Sequence, residues 1–381
     1  MKKNNTIVLF VFMLLFCMIF AVSCGKSKQT EPSTEAQTQT VEETTEATTE
    51  QTTEETTEET TEEETTEAVE TLPEGMCLSY LTGEPVAEEI GRRRPIAVMF
   101  NNVRAANPQS GINSAGVVIE APAEGGVVRL MGMIEDFDNL ERIGSVRSAR
   151  TYFVFMQAEF NPVFVHYGQC NYALEYLDSD YCDNLNGVKN IGETVFFRST
   201  DRKAPHNAYA TAAGIFAGAQ KMGYDWNYKQ GYEGHFVFAD KNHSTDMSAG
   251  TGATKIYPGF PNNKPWFEYN KDDGLYYRYQ FDDKHIDDLD NKQVSCKNII
   301  LEYCDYEHYY DTDYLYMHVI GTGVGKYITD GRVIDITWSK DSAAGITHYY
   351  DMNGEEIKLN PGKTWICVIQ TERINKVEIY E

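Results

Sequence analysis

The chain has 381 residues and a formal net charge of −25, from 58 Asp and Glu against 33 Lys and Arg. Nucleic-acid binding depends on Lys and Arg that neutralise phosphates, so this charge argues against a nucleic-acid partner. The acidity is uneven, because 16 Glu and no Asp, Lys or Arg lie between Glu31 and Glu74.

The first residues predict export and lipid anchoring. Lys2 and Lys3 precede an apolar run at residues 7–22, which as a helix spans about 24 Å and is short for a ~30 Å hydrocarbon core. Residues 21–24, AVSC, resemble a lipobox, which implies that Cys24 carries a diacylglycerol. We therefore predict a lipoprotein signal peptide at residues 1–23 and a membrane partner reached through Cys24, on the outer face of the bacterial plasma membrane. An ordinary signal peptide with an unrelated cysteine is the alternative.

Residues 24–76 predict a lipid-anchored, disordered stalk. They consist mostly of Thr, Glu, Gln and Ala and contain no aromatic residue, so burial of side chains cannot offset the entropy of the chain. Cation capture by the Glu run is the alternative function. About 305 residues remain, enough for two domains of ordinary size.

The folded part predicts an α+β protein, with a mixed α/β domain at residues 77–244 and a mostly antiparallel β domain at residues 245–381. The first domain contains short apolar runs typical of buried strands, at 96–100, 117–121, 127–135 and 163–167. A helix is predicted from Ala149 to Phe160 with Ser148 as its N-cap, and an Ala-rich helix from Thr211 to Met222. The second domain alternates aromatic-rich strands with DG and NG turns.

The cysteines of the folded part predict no metal or redox site. No CxxC spacing occurs among them, so neither a metal nor a cofactor is expected. Cys296 and Cys304 lie on one predicted strand about 26 Å apart, too far for a disulfide. The geometry allows a disulfide between Cys170 and Cys182, and the sequence leaves that question open.

The segment SVRSAR at residues 145–150 is the most informative for function. Arg147 and Arg150 would lie three residues apart at the start of a helix, where the backbone is already positively polarised. Two cations there require an anion, which is either a carboxylate of the protein or a ligand. Glu120, Glu124 and Arg129 are the neighbours in chain order, so a purely structural Arg–Glu network is the alternative.

Other candidate side chains lie at strand ends and in loops. His166 closes a buried strand, and His206-Asn207 follows a proline in a loop. Glu124 precedes two glycines, which would let a ligand approach the backbone closely, and with a raised pKa it could act as a general acid on a glycosidic bond. Glu124 and His206 are therefore the catalytic candidates. The alternative is that the histidines only hydrogen-bond to the backbone.

Several long motifs resemble the YerB-like lipoproteins of bacteria. They are RPIAVMFNN at 94–102, PQSG at 108–111, EGG-x-x-R at 124–129, IGSVRSAR at 143–150, RKAPHN at 202–207, ITW at 336–338, YYDMNGEEI at 349–357 and LNPGKTWI at 359–366. The resemblance implies a membrane lipoprotein with a two-domain ectodomain. It supplies no reaction.

Three functions are compatible with these features, and whether the protein is an enzyme stays open. The first is an envelope lipoprotein that binds a cell-wall polymer or another envelope component in a pocket; its predicted lining comprises Glu120, Glu124, Arg129, Arg147, Arg150, His166, His206 and Asn207. The second is a glycan-cleaving enzyme, which needs a cleft with a carboxylate of raised pKa. The third is a scaffold for envelope proteins, which needs a flat apolar patch.

Overall fold

The apolar runs of the first half form the centre of one large mixed sheet. The computed structural model describes residues 72–240 and 243–381. The predicted signal peptide, Cys24 and the stalk up to residue 71 lie outside the described residues.

The described part of the chain contains many short strands, which we number in chain order. They are β1 Met76–Leu78, β2 Pro85–Ala87, β3 Ile96–Phe100, β4 Val117–Pro122, β5 Val128–Ile134, β6 Ile143–Gly144, β7 Val163–His166, β8 Asn184–Asn186, β9 Phe196–Arg198, β10 Ala208–Ala210, β11 Val237–Phe238, β12 Thr251–Gly252, β13 Lys255–Tyr257, β14 Trp266–Asn270, β15 Leu275–Gln280, β16 Asp283–Lys284, β17 Ser295–Cys296, β18 Asn298–Cys304, β19 Tyr306–His308, β20 Leu315–Met317, β21 Gly321–Thr329, β22 Arg332–Lys340, β23 His348–Tyr350, β24 Lys358–Leu359, β25 Thr364–Gln370 and β26 Glu378–Tyr380.

Helices are fewer and mostly short. The α-helices are α1 Glu88–Gly91, α2 Thr151–Ala158, α3 Leu174–Leu177, α4 Gly192–Val195 and α5 Ala212–Met222. Short 3-10 helices occur at Arg104–Ala106, Ile112–Ser114, Glu124–Gly126, Asn171–Ala173 and Thr371–Lys376. Helix α5 begins as predicted, because the Thr211 hydroxyl accepts a hydrogen bond from the Gly214 amide at 2.9 Å.

The predicted start of helix α2 is wrong. Arg150, not Ser148, is the N-cap residue, with an extended backbone and no side-chain cap. The preceding residues are extended because their backbone pairs with other segments: the Ala149 amide donates to the Gly168 carbonyl at 2.9 Å. Arg147 therefore lies before the helix, and it does not share a helical face with Arg150.

Six strands of the large sheet end at the same edge. The order of this sheet is β12-β22-β21-β18-β25-β4-β5-β3-β7-β8, with β23 paired to β22. Strands β18, β25 and β4 are mutually parallel, as are β3, β7 and β8, and β5 runs antiparallel between the two sets. All six parallel strands consequently end at one edge, which we call the carboxyl edge.

Both faces of the large sheet are covered. Helix α2 and the β19–β20 hairpin lie on one face, and helix α5 and a second sheet lie on the other. The second sheet has the order β16-β15-β14-β13-β26, with β17 paired to β15. Burial on both faces explains why all five residues of β3 are apolar and inaccessible to solvent.

The predicted α+β class is confirmed, and strands dominate the C-terminal part. Strands from both sides of the predicted domain boundary near residue 245 pair within the large sheet, where β25 lies beside β4. The boundary itself stays a prediction. Cys170 and Cys182 are both free and buried, so the disulfide that the sequence left open is not formed. Among the described residues, no helix is long and apolar enough to cross a membrane.

Candidate functional site

Several of the predicted site residues meet at the carboxyl edge. Glu124 lies in the turn that follows β4, and Arg129 lies at the start of β5. Arg147 and Arg150 lie in the segment that enters helix α2. Edges of this kind are where open α/β sheets present side chains and backbone groups to ligands.

Glu124 and Arg150 form a bidentate ion pair. Arg150 Nε donates to Glu124 Oε1 at 2.7 Å, and Nη2 donates to Oε2 at 2.6 Å. The turn that brings Glu124 there requires glycine, because Gly125 and Gly126 have φ of +69° and +72°. The Arg150 guanidinium also lies 5.1 Å from the ring centroid of Tyr314, a cation–π contact. Glu124 is thus the protein carboxylate that serves as the counter-ion of Arg150.

This ion pair keeps Glu124 ionised. Burial acts to raise the pKa of Glu124, but the hydrogen bonds and charge of Arg150, together with Arg129, outweigh burial and hold that pKa below its usual value. Burial lowers the pKa of Arg129 to about 10, and repulsion from Arg150 adds to the effect. A general acid at neutral pH needs a raised pKa, so the geometry does not favour that role for Glu124.

Glu124 is not sealed from solvent. Its side chain is 20% exposed and lines a hollow of about 350 Å³. Polar groups of the hollow come from the turn, from the β19–β20 hairpin and from the end of β25. The lining residues are Pro122, Ala123, Glu124, Gly125, Gly126, Val128, Phe260, Pro261, Tyr306, His308, Asp313, Leu315 and Gln370.

Arg147 has no counter-ion in the part of the chain that the structure describes. Its backbone is fixed, since its amide donates to the Met99 carbonyl at 2.8 Å and its carbonyl accepts from the Tyr167 amide at 2.9 Å. Its half-buried guanidinium makes no hydrogen bond or ion pair with any described residue. Burial, and then the charge of Arg150, lower the pKa of Arg147. The cluster thus holds three guanidiniums, those of Arg129, Arg147 and Arg150, against the single carboxylate of Glu124.

His206 is held by Asn101 and lies within reach of the charge of Arg147. Asn101 Nδ2 and His206 Nδ1 are 2.8 Å apart. An amide nitrogen can only donate, so Nδ1 accepts and the proton of the neutral ring lies on Nε2. Burial, and then the charges of Arg147 and Arg202, lower the pKa of His206. With Nε2 protonated and Nδ1 occupied, His206 offers a hydrogen-bond donor and not a general base.

Asn207 supports the loop rather than facing the hollow. Its side chain accepts from Arg198 Nη1 at 2.8 Å and donates to the Ser199 carbonyl at 3.0 Å. His166 is fully buried, with Nδ1 at 2.8 Å from the Gly168 carbonyl and Nε2 at 3.2 Å from Asn184 Oδ1. The alternative that a histidine only makes local hydrogen bonds fits His166.

Glu120 does not face the arginine cluster. It lies in the middle of β4 with its side chain on the face opposite helix α2, where it is fully buried. Arg278 Nη2 donates to both of its carboxylate oxygens, at 2.8 and 2.9 Å, and Asn263 and Trp365 complete its hydrogen bonds. The prediction that Glu120 lines a pocket with Arg147 and Arg150 is not supported, because strand alternation places it on the other face.

Sequence reasoning missed Asn101, Arg278 and Tyr314. Arg278 could have been found, because it shares the inward register of β15 with the buried Tyr276 and therefore requires a buried anion. Asn101 and Tyr314 carried no such signal. Among residues 72–240 and 243–381, no group of three His, Cys, Asp or Glu is placed to hold a metal.

Comparison with known proteins places the chain in a family. Residues 81–225 match the family described as "Protein of unknown function (DUF3048) N-terminal domain", and residues 256–366 match its C-terminal domain. "Putative lipoprotein YerB" of Bacillus subtilis (strain 168) is 32% identical over 292 residues, which cover 76% of this chain and 85% of that protein. The crystal structure of YerB protein from Bacillus subtilis superposes with a TM-score of 0.70 at 27% identity, covering 80% of this chain and all of that one. The chain therefore belongs to the DUF3048 family of YerB-like proteins.

Proposed function

We propose that this protein is an extracytoplasmic lipoprotein, anchored to the outer face of the plasma membrane through Cys24, that binds a cell-wall or other envelope component at its carboxyl edge. The lipobox resemblance and the name of the Bacillus relative support the anchoring. The stalk would carry the binding edge away from the lipid and towards the wall.

One observation carries the binding function. The ion pair with Arg150 lowers the pKa of Glu124 and so keeps Glu124 ionised, yet Glu124 lines an open hollow of about 350 Å³. A cleft without a carboxylate of raised pKa is what a binding protein requires, whereas a glycan-cleaving enzyme needs that acid. The observation therefore favours binding over cleavage.

Co-sedimentation of the purified full chain with bacterial sacculi tests the proposal. Asp313→Ala and His308→Ala remove exposed groups that line the hollow, and they should reduce the amount retained. Glu355→Ala, an exposed carboxylate outside the hollow, is the matched control and should retain the wild-type amount. Equal retention of all variants would contradict a role for the hollow.

The same incubation separates the alternatives. Soluble muropeptides that appear with the wild type and disappear with Glu124→Gln would favour the enzyme and contradict our proposal. Absence of both retention and cleavage would favour a scaffold for envelope proteins. Labelling with a fatty acid in cells tests the anchor, because Cys24→Ser should abolish incorporation of the label.

A further inference from the structure

Arg147 lies on a short two-stranded ribbon at the end of β3. Phe100 and Val146 form an antiparallel bridge, the Asn101 amide donates to the Ser145 carbonyl at 2.8 Å, and the Arg147 amide donates to the Met99 carbonyl. Opposed residues of such a ribbon share a face, with Cα atoms about 5 Å apart. Asn101 and Ser145 are therefore neighbours on the same face as Arg147.

His206 joins this face from the loop before β10. Its Nδ1 is fixed by Asn101, which leaves the Nε2 proton without an acceptor in the described part of the chain. The half-buried Arg147 guanidinium likewise has no acceptor. Two donor groups at the carboxyl edge, close enough for the charge of Arg147 to act on His206, thus lack an acceptor among the described residues.

The charges that act on both side chains are positive. Arg150 acts on Arg147, and Arg147 and Arg202 act on His206, while no carboxylate contributes to either pKa shift. The nearby carboxylate of Glu124 is already occupied by Arg150. A half-buried cation without a counter-ion is costly in a protein, and the cost is removed when an anion binds. The local excess of positive charge is notable in a chain of net charge −25.

A buried hydroxyl without a partner in the described part of the chain lies on the same face of the ribbon. Ser145 is inaccessible to solvent, and its Oγ has no hydrogen-bond partner among the described residues. Because His206 carries its proton on Nε2, it cannot accept a proton there, so Ser145 and His206 do not form a nucleophile–base pair. The cluster is suited to binding an acceptor and not to covalent chemistry.

We propose that Arg147 and His206 form an oxyanion subsite, which holds a phosphate or carboxylate group of the bound envelope component. This inference rests on the proposed binding function and names the chemical group that the carboxyl edge recognises. The Arg147 guanidinium supplies planar N–H donors suited to two oxygens of one anion, and His206 Nε2 supplies a further donor.

A buried hydrogen-bond network holds the subsite in place. Gln109 Nε2 donates to the Asn101 carbonyl and to Asn102 Oδ1, both at 2.9 Å. Gln109 Oε1 accepts from His285 Nε2 at 2.7 Å, and His285 Nδ1 accepts from Arg278 Nη1 at 2.7 Å. Arg278 is in turn paired with Glu120. Glu120 therefore does not line the site. It acts as a remote positioning residue, because it holds Arg278 and through Arg278 the network that ends at Asn101.

Titration of the full chain with inorganic phosphate and with acetate tests the subsite. We expect saturable binding that shifts one histidine NMR signal, identified as His206 by its loss in His206→Gln. Arg147→Gln should weaken binding by about tenfold or more, because it removes the charge-assisted contacts of the guanidinium with the anion. Arg147→Lys should weaken it less. Arg104→Gln, whose side chain is 69% exposed, is the control for charge alone and should bind like the wild type.

The outcomes are distinct. Tighter binding of phosphate indicates a phosphate-bearing component, and tighter binding of acetate indicates a carboxylate; both support the subsite. No saturation by either anion, or wild-type affinity in Arg147→Gln with an unchanged unfolding temperature, overturns it. If Arg147→Gln still sediments with sacculi as the wild type does, the subsite fails and the proposed function stands. If phosphate binds at Arg147 but the wild type never sediments with sacculi, the proposed function fails alone.

Discussion

Replacing Glu302 with Gln is expected to stabilise the protein increasingly as the pH rises. Glu302 lies on β18 with its carboxyl buried, and Tyr349 donates a hydrogen bond to its Oε2 at 3.0 Å. A second buried carboxylate, Glu159, lies close by and is paired with Lys340 at 3.0 Å. Burial, and then repulsion from Glu159, raise the pKa of Glu302 to about 8.

The direction of the effect follows from linkage between protonation and folding. The pKa of Glu302 is higher in the folded protein than the ordinary value of 4.5, so the folded state favours its protonated form. Its contribution to stability is complete below about pH 4.5 and is lost as the pH rises through about 8. At 1.36 kcal/mol per pKa unit, the loss is about 3 kcal/mol at pH 7 and approaches about 5 kcal/mol above pH 8. Glutamine has no proton to lose and avoids this penalty.

Urea denaturation at several pH values between 5 and 9 measures this effect. The free energy of unfolding of Glu302→Gln minus that of the wild type should rise by about 1.4 kcal/mol per pH unit up to about pH 8, and then level off. Glu355→Gln makes the same chemical change at an exposed site and should show no such slope. If the difference in the free energy of unfolding between Glu302→Gln and the wild type did not depend on pH, Glu302 would ionise without destabilising the folded protein. That result would refute the reasoning.

Three further substitutions test other parts of the fold by denaturant unfolding. Arg278→Met should cost about 3–5 kcal/mol because it leaves the buried Glu120 carboxylate without a counter-ion, and the double variant with Glu120→Gln should recover part of this loss; an equal loss in both would contradict a buried charge penalty. Thr211→Ala should cost about 1 kcal/mol through loss of the cap of helix α5, while Thr211→Ser should cost little. Gly125→Ala should cost about 1–2 kcal/mol from its positive φ alone, because no neighbouring atom lies within 4 Å of the added Cβ; a neutral result would show that the turn relaxes.

Strands whose pattern is local were predictable from the sequence. Ile96–Phe100 is an uninterrupted apolar run, and this pattern indicates a strand covered on both faces wherever it lies in a sheet. The Ala-rich run from Thr211 to Met222 predicted helix α5 for the same reason, and the structure adds that Thr211 caps this helix through a contact within one turn. The start of helix α2 was mispredicted because residues 147–149 pair with the end of β3 and with the loop after β7, and such partners are distant in sequence.

The sequence pointed to the arginines of the candidate site and to Glu124, but not to their pairing. The arginine with which each carboxylate pairs depends on the face of β4 to which that carboxylate points. The register of β4 between β5 and β25 determines that face. Glu120 points to the face of the second sheet and meets Arg278, whereas Glu124, beyond the end of the strand, is free to turn back towards Arg150. Two carboxylates four residues apart thus neutralise cations in different parts of the molecule.

The division of carboxylates also leaves the arginine cluster at the carboxyl edge with an excess of positive charge. If Glu120 had faced helix α2, the cluster of Arg129, Arg147 and Arg150 would have had two internal counter-ions. Burial of Glu120 against Arg278 leaves Glu124 as the counter-ion of this cluster, and its two oxygens are both used by Arg150. The charge left on Arg147 is therefore a consequence of how β15 packs against β4, and it is the basis of the proposed oxyanion subsite.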